Sequence, residues 1–291
     1  MKITRLVFFL PVIILFSVMS SSPFAGCTKS NTDTVFVHVT HDSAVYVYDT
    51  TTNYDTVYDI TSGLVAYYNF NGGSLNDSSG FGNNIIFNNA TPTQDRNGKA
   101  NNAYLFDGAS SYMQVASSAS LNPDNITLYA IIKVNGFWPG YELDYGNFIL
   151  VKGWDQAAGM YILQFSYFSG ISGALDTQHE NFVGAYGDNP GNNGNAAGAG
   201  NPTDYVATGT WYKLAYTYDG ITAKFYINGV LVSSVKKTAV FTDNTMDLLI
   251  GRNEDPSGLF PSWFNGVIDE IRIYNRALNQ QSITQLINVA N

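Results

Sequence analysis

Along most of this chain apolar and polar residues alternate in short runs, separated by clusters of Gly, Asn, Asp and Ser. The pattern is clearest in WYKLAYTYDGITAKFYINGVLV (residues 211–232), where Asp219–Gly220 and then Asn228–Gly229 interrupt the alternation. A period of two predicts strands with one buried face, and Asp-Gly and Asn-Gly most readily supply the positive φ of hairpin tips. Strands here should therefore follow one another antiparallel. The same reading predicts strands in LVAYYNF, NIIFNN, NAYLFDG, SYMQVA, ITLYAIIKV, NFILVKGW, GMYILQFSYF, DYVA, MDLLIGR and FNGVIDEIRIYN. Turn signals recur along the chain as in an antiparallel sandwich. Only ALNQQSITQLINVA (residues 277–290) has helical spacing, with Leu278, Ile283, Leu286 and Ile287 on one side and Asn279 placed as N-cap. The prediction is an all-β sandwich with one short C-terminal helix.

Composition agrees and narrows the partners. Hydrophobic residues make up 45% and charged ones 13%, with 20 Tyr, 18 Phe and 27 Gly. A net charge of -9 without a Lys/Arg cluster excludes a nucleic-acid partner, which needs concentrated positive charge. An acidic surface suits neutral ligands or divalent cations instead.

The first 26 residues read as a signal peptide: Lys2 and Arg5 precede an apolar run, residues 6–18, too short to span a bilayer. Ala25 and Gly26 before the only cysteine, Cys27, resemble a bacterial lipobox, although Phe24 stands where an aliphatic residue is usual. That resemblance implies acylation of Cys27, attachment to the membrane through the lipid alone, and a place in the bacterial envelope, at the outer membrane. A lone cysteine forms no internal disulfide. Residues 27–62 are rich in Thr, Asp, Tyr and Val, and DTVFV, AVYVYD and DTVYD recur along them. They are expected to form an extended stalk of low internal order, or alternatively extra or self-pairing strands.

Residues 63–291 resemble the concanavalin A-like lectin/glucanase superfamily in its laminin-G-like branch. The resemblance rests on GLVAYYNF, DSSGFGNN, YLFDGASSYMQV, GTWYKLAYTYDG, FYINGVLV, IGR and FNGVIDEIRIYNRAL in that order. It implies a two-sheet jelly roll presenting carbohydrate or protein ligands, frequently with calcium, and a core position for Trp211.

Relatives that cleave β-glucans place two glutamates on one strand face around an aspartate; retaining hydrolysis needs carboxyl groups about 5 Å apart. Here Glu142 and Asp144 are followed by Tyr145 and Gly146, so the second glutamate is missing. Asp269 and Glu270, being adjacent in a strand, are expected on opposite faces. Catalysis is thus the weaker reading. For calcium, KGWDQAAG resembles a pentraxin loop, which implies Asp155 and Gln156 facing Asn253, Glu254 and Asp255. A weaker structural set is Asp77, Asn83 and Asp269, provided the first and last strands are neighbours.

Sugar rings stack on aromatic faces while their hydroxyls take hydrogen bonds. Trp138, Tyr141, Tyr145, Trp154 and Trp263 lie beside Pro, Gly or Asp and are the expected carbohydrate contacts. GAYGDNPGNNGNAAGAGNP (residues 184–202) reads as a long surface loop. His179 and Glu180 complete no zinc spacing. The expected function is non-catalytic binding of a glycan at the cell envelope, with calcium assisting; adhesion to protein and divergent glycoside hydrolysis are the alternatives. Oligomeric state is not legible.

Overall fold

The structure is a computed structural model. It describes residues 13–17, 34–38, 44–48, 54–137, 147–153, 159–166, 181–188, 196–198, 205–236, 238–253 and 262–288. The chain divides into two compact units, Gly63–Gln280 and Met1–Ser62 with Gln281–Asn291. In the second of these, β1 (Ile13–Ser17), β2 (Thr34–His38), β3 (Ala44–Tyr48) and β4 (Tyr54–Tyr58) form a four-stranded antiparallel sheet in sequence order. The Thr/Val/Tyr pieces pair with one another, Phe36 opposite Tyr46 and Val47 opposite Asp55. Strand β1 falls within the apolar run of the expected signal peptide and pairs with β2. The helix α1 (Gln280–Asn288) appears where its spacing predicts and buries Ser282, Ile283 and Leu286.

The larger unit is a two-sheet antiparallel jelly-roll sandwich. Its strands are β5 (Leu64–Tyr68), β6 (Ile85–Asn88), β7 (Thr91–Thr93), β8 (Ala103–Asp107), β9 (Met113–Val115), β10 (Ile126–Gly136), β11 (Asn147–Lys152), β12 (Met160–Ser166), β13 (Asn181–Gly187), β14 (Ala197–Gly198), β15 (Trp211–Tyr218), β16 (Thr222–Ile227), β17 (Val230–Lys236), β18 (Leu248–Ile250) and β19 (Asn265–Tyr274). One sheet runs β17-β16-β15-β10-β19-β8-β7, with β5 also paired to β19; the other runs β14-β13-β12-β11-β18-β9-β6. The core lies between them: Leu128, Ile132, Leu214, Ile268 and Ile271 meet Ile149, Leu163, Phe165, Phe182 and Ile250. The β16–β17 hairpin turns on Asn228 and Gly229, with φ of 50° and 86°, the two positive values this tip requires.

Four expectations are corrected. DYVA forms no strand; residues 205–207 run irregularly, and the Ala207 N–H donates to the Tyr212 hydroxyl. The expected surface loop begins later than Gly184, because residues 181–187 form the buried strand β13 and Tyr216 packs on the bare Gly184. Trp211 is only half-buried and outside the core; strand alternation gives that place to Tyr212, while Lys133 Nζ lies 5.4 Å above the Trp211 ring. Finally, Asp269 and Glu270 share a face. Ile131 pairs with Glu270 and Ile132 with Ile268, so a β-bulge leaves Asp269 without an opposite residue. Ile268 and Ile271 then both enter the core, and both carboxylates point away from it.

Lys152, at the end of β11, is fully buried. Its Nζ donates to Asn122 Oδ1 at 2.8 Å, Asn244 Oδ1 at 2.9 Å and Asn244 O at 3.2 Å, tying three segments together. Burial pushes its pKa down to about 8, against the opposing pull of Asp243 and Asp247. Unfolded lysine titrates near 10.4. Between about pH 8 and 10 the unfolded chain therefore holds a proton that the folded chain has shed, so stability rises with pH, by up to roughly 2–3 kcal/mol. Above pH 10 the buried Tyr161 and Tyr216, whose pKa values burial raises, reverse the trend. Denaturation midpoints measured from pH 7 to 10 should climb in the wild type and stay flat in Lys152→Met.

Candidate functional site

The seven-stranded sheet has a second apolar surface, on the side away from the core. Alternation along β12 sends Tyr161, Leu163 and Phe165 inward and Met160 and Ile162 outward, where they join Phe148, Val151, Ala185 and Leu249. Gln164 belongs to the same outward row. It is 7% exposed, and its Oε1 accepts no hydrogen bond. A buried, unsatisfied amide oxygen costs about 1–3 kcal/mol, a cost this covered part of the sheet carries in the folded state.

Tyr112 packs against this face at its β9 end and starts an aromatic platform. The Phe87 ring lies 4.6 Å from that of Tyr112, and the Trp263 ring lies 6.2 Å from it at 61°. Over this pair lies Arg252, its guanidinium carbon 4.8 Å from the Tyr112 centroid and 5.3 Å from that of Trp263. The arrangement follows from a local closure. Arg252 and Trp263 form an isolated antiparallel bridge, and the neighbouring Asn253 exchanges hydrogen bonds with Ser262: backbone N to O at 3.1 Å, and Ser262 N to Asn253 Oδ1 at 3.1 Å. Arg252 Nε donates to Asn253 O at 3.1 Å, which fixes the guanidinium plane.

Of the residues expected to bind sugar, Trp263 is thus placed on a platform, while Trp138, Tyr141, Tyr145 and Trp154 lie outside the described residues. Sequence reasoning missed Phe87, Tyr112, Arg252 and Gln164. Tyr112 and Arg252 stand inside motifs quoted for the fold, YLFDGASSYMQV and IGR, where their framework role masked them.

The calcium candidates are placed unevenly. Asp155, Gln156, Glu254 and Asp255 lie outside the described residues, as do Cys27, Glu142 and Asp144. Asn253 is buried and engaged with Ser262. In the weaker set, β5 and β19 are neighbours as that set required, but the three side chains serve other partners. Asp77 accepts from Tyr67 N (2.9 Å), Ser79 N (2.8 Å), Ser79 Oγ (2.7 Å) and Asn83 N (3.0 Å), filling both oxygens. Asn83 bonds Val65 O, Ser118 and Ser120. Asp269 pairs with Arg96 at 2.7 Å. All three side chains are thus engaged by protein donors. Among the described residues, no three His, Cys, Asp or Glu side chains gather closely enough to hold a metal ion.

Comparison with known proteins follows this geometry. A family model for the concanavalin A-like lectin/glucanases superfamily, in its laminin-G form, matches residues 107–284. No curated protein matches the chain. Among solved structures, domain 4 of AbnA, a GH43 extracellular arabinanase from Geobacillus stearothermophilus, solved with arabinotriose, aligns at 22% identity and a TM-score of 0.54, covering 77% of this chain and 98% of that one. The binding domain of Paraclostridial Mosquitocidal Protein 1 aligns at 18% identity and 0.57, covering 79% of this chain and 53% of that one. The binding domain of Botulinum Neurotoxin DC, solved with SialylT, aligns at 12% identity and 0.54, covering 79% and 51%. The chain therefore spans about half the length of the toxin domains and nearly all of the arabinanase domain. At these identities the likeness establishes the shared fold.

Proposed function

This chain belongs to the concanavalin A-like lectin/glucanases superfamily, and on that premise we propose that it is a non-catalytic glycan-binding protein of the bacterial cell envelope. The observation that carries the reading is the partly exposed cluster of Tyr112, Arg252 and Trp263, with the exposed Phe87 beside it. Aromatic faces stack on the apolar faces of sugar rings. The arabinotriose and SialylT in the two neighbours' structures are sugars bound by those proteins, and they support the same class of ligand here. Trp138, Tyr141, Tyr145 and Trp154 extend the surface in this proposal. Calcium assistance through Asp155, Gln156, Asn253, Glu254 and Asp255 is a separable part of it: a melting temperature raised by millimolar calcium supports that part, and an unchanged one removes it.

The test is a glycan array followed by titration calorimetry on the best ligand. Trp263→Ala should weaken binding by about 30-fold, the roughly 2 kcal/mol typical of a buried aromatic contact, without lowering the melting temperature appreciably. Binding to no glycan by the wild type, or full affinity in Trp263→Ala and Tyr112→Ala alike, sinks the proposal. Reducing ends released from a bound polysaccharide would replace it with the hydrolase reading. Attachment through an acylated Cys27 is checked by labelled-palmitate incorporation, which Cys27→Ser should abolish.

A further inference from the structure

We propose that Arg252 makes this surface selective for carboxylated sugars, of the uronic-acid class, over their neutral counterparts. The inference rests on the glycan-binding reading above and adds the chemical class of the ligand. Three observations carry it. First, the guanidinium carbon lies over both the Tyr112 and Trp263 rings, at 4.8 and 5.3 Å from their centroids. A cation so placed is pre-organised, and little side-chain freedom remains to be lost on binding. Second, only Nε is engaged, on Asn253 O; among the described residues the two Nη groups meet no acceptor and no carboxylate. The paired N–H bonds left over match the spacing of a carboxylate, which arginine binds through two parallel hydrogen bonds. The other arginines and lysines at comparable positions are spent differently. Arg96 serves Asp269, Arg272 serves Glu270, and Lys152 serves Asn122 and Asn244.

Third, the exposed Phe87 ring lies 4.6 Å from that of Tyr112, so a further aromatic face stands beside the cation, where a neighbouring ring of the same oligosaccharide would reach it. The acid group would lie on the Nη side of Arg252. The chain's net charge of -9 sets no general attraction for acidic polymers, so the preference is local to this arginine and independent of bulk charge.

The experiment compares one acidic oligosaccharide, an oligogalacturonate, with its carboxyl-reduced oligogalactose counterpart, by calorimetry at low and physiological salt. The proteins are the wild type, Arg252→Gln, Arg252→Lys and Trp263→Ala. Expected are a wild-type preference of at least 10-fold for the acid, collapse of the acid-to-neutral affinity ratio toward one in Arg252→Gln, and partial retention of that ratio in Arg252→Lys, which keeps the charge but loses the paired geometry. Melting temperatures establish that the variants are folded. Equal wild-type affinity for both ligands, each weakened by Trp263→Ala, overturns the acid preference and leaves the glycan-binding reading standing. Binding of neither ligand, with a silent glycan array, overturns both. Should Arg252→Gln melt early, Arg252→Lys and the wild-type affinity ratio still decide.

Discussion

Replacing Arg272 by Met should destabilise the protein by about 3–5 kcal/mol, the cost of leaving a buried charge without its partner. Arg272 Nε donates to Glu270 Oε1, and the side chains of the pair are 7% and 2% exposed. The guanidinium also donates to the Tyr67 hydroxyl at 3.1 Å and lies 4.1 Å above that ring. Burial works against the charged arginine, yet the Glu270 carboxylate outweighs it and holds the guanidinium more firmly protonated than usual. The two charges thus tolerate burial only together. Met is close to the aliphatic stem of arginine in shape, so lost packing is a minor part of the expected effect. The check is a double substitution: Glu270→Leu with Arg272→Met removes both charges and should recover most of the stability lost by Arg272→Met alone, measured by urea denaturation. If the double variant is as unstable as the single one, packing on Tyr67 rather than the ion pair is what Arg272 supplies.

The same strand shows where sequence reasoning holds and where it stops. Alternation in FNGVIDEIRIYN predicts a strand, and β19 runs through ten of its residues. Alternation also predicts that Asp269 and Glu270 diverge. The bulge that brings them to one face depends on which residue of β10 stands opposite, a fact no single strand carries. Trp211 fails for a related reason: a shift of one residue exchanges the faces of a strand, and the long aromatic run in WYKLAYTY leaves the inward set ambiguous until Tyr212, Leu214 and Tyr216 are seen in contact with the facing sheet. The hairpin tips at Asp219–Gly220 and Asn228–Gly229 were legible because their chemistry is local. The site was half legible. Trp263 announced itself as a tryptophan in a polar stretch, whereas Tyr112 and Arg252 become a pair only when β9 and β18, far apart in sequence, lie side by side. Gln164 gives no sequence signal, since its distinction is an acceptor left unsatisfied by folding.

Gly251→Ala should cost about 3 kcal/mol and abolish glycan binding together with it. Gly251 follows β18 directly with a φ of 85°, where a side chain costs roughly 1–2 kcal/mol. An added Cβ would also stand 2.3 Å from Phe106 Cδ1 and 2.5 Å from Cε1, far inside contact distance. Phe106 has little room to yield, being fully buried and packed edge-to-face on Phe264 at 5.9 Å; such overpacking adds a further 1–3 kcal/mol or so. Relief has to come from the backbone. Gly251 is held on both sides, its N–H donating to Ile149 O at 3.0 Å and its carbonyl accepting from Phe264 N at 2.9 Å. Moving it carries along Arg252 and, through the bridge, Trp263. Stability and binding should therefore fall together, as seen by denaturation and calorimetry on the same variant, whereas Trp263→Ala should lower binding alone. A Gly251→Ala protein that is destabilised yet binds glycan with wild-type affinity at a temperature where it is folded would show that the platform does not depend on the β18 terminus, and would move the binding surface elsewhere on the sheet.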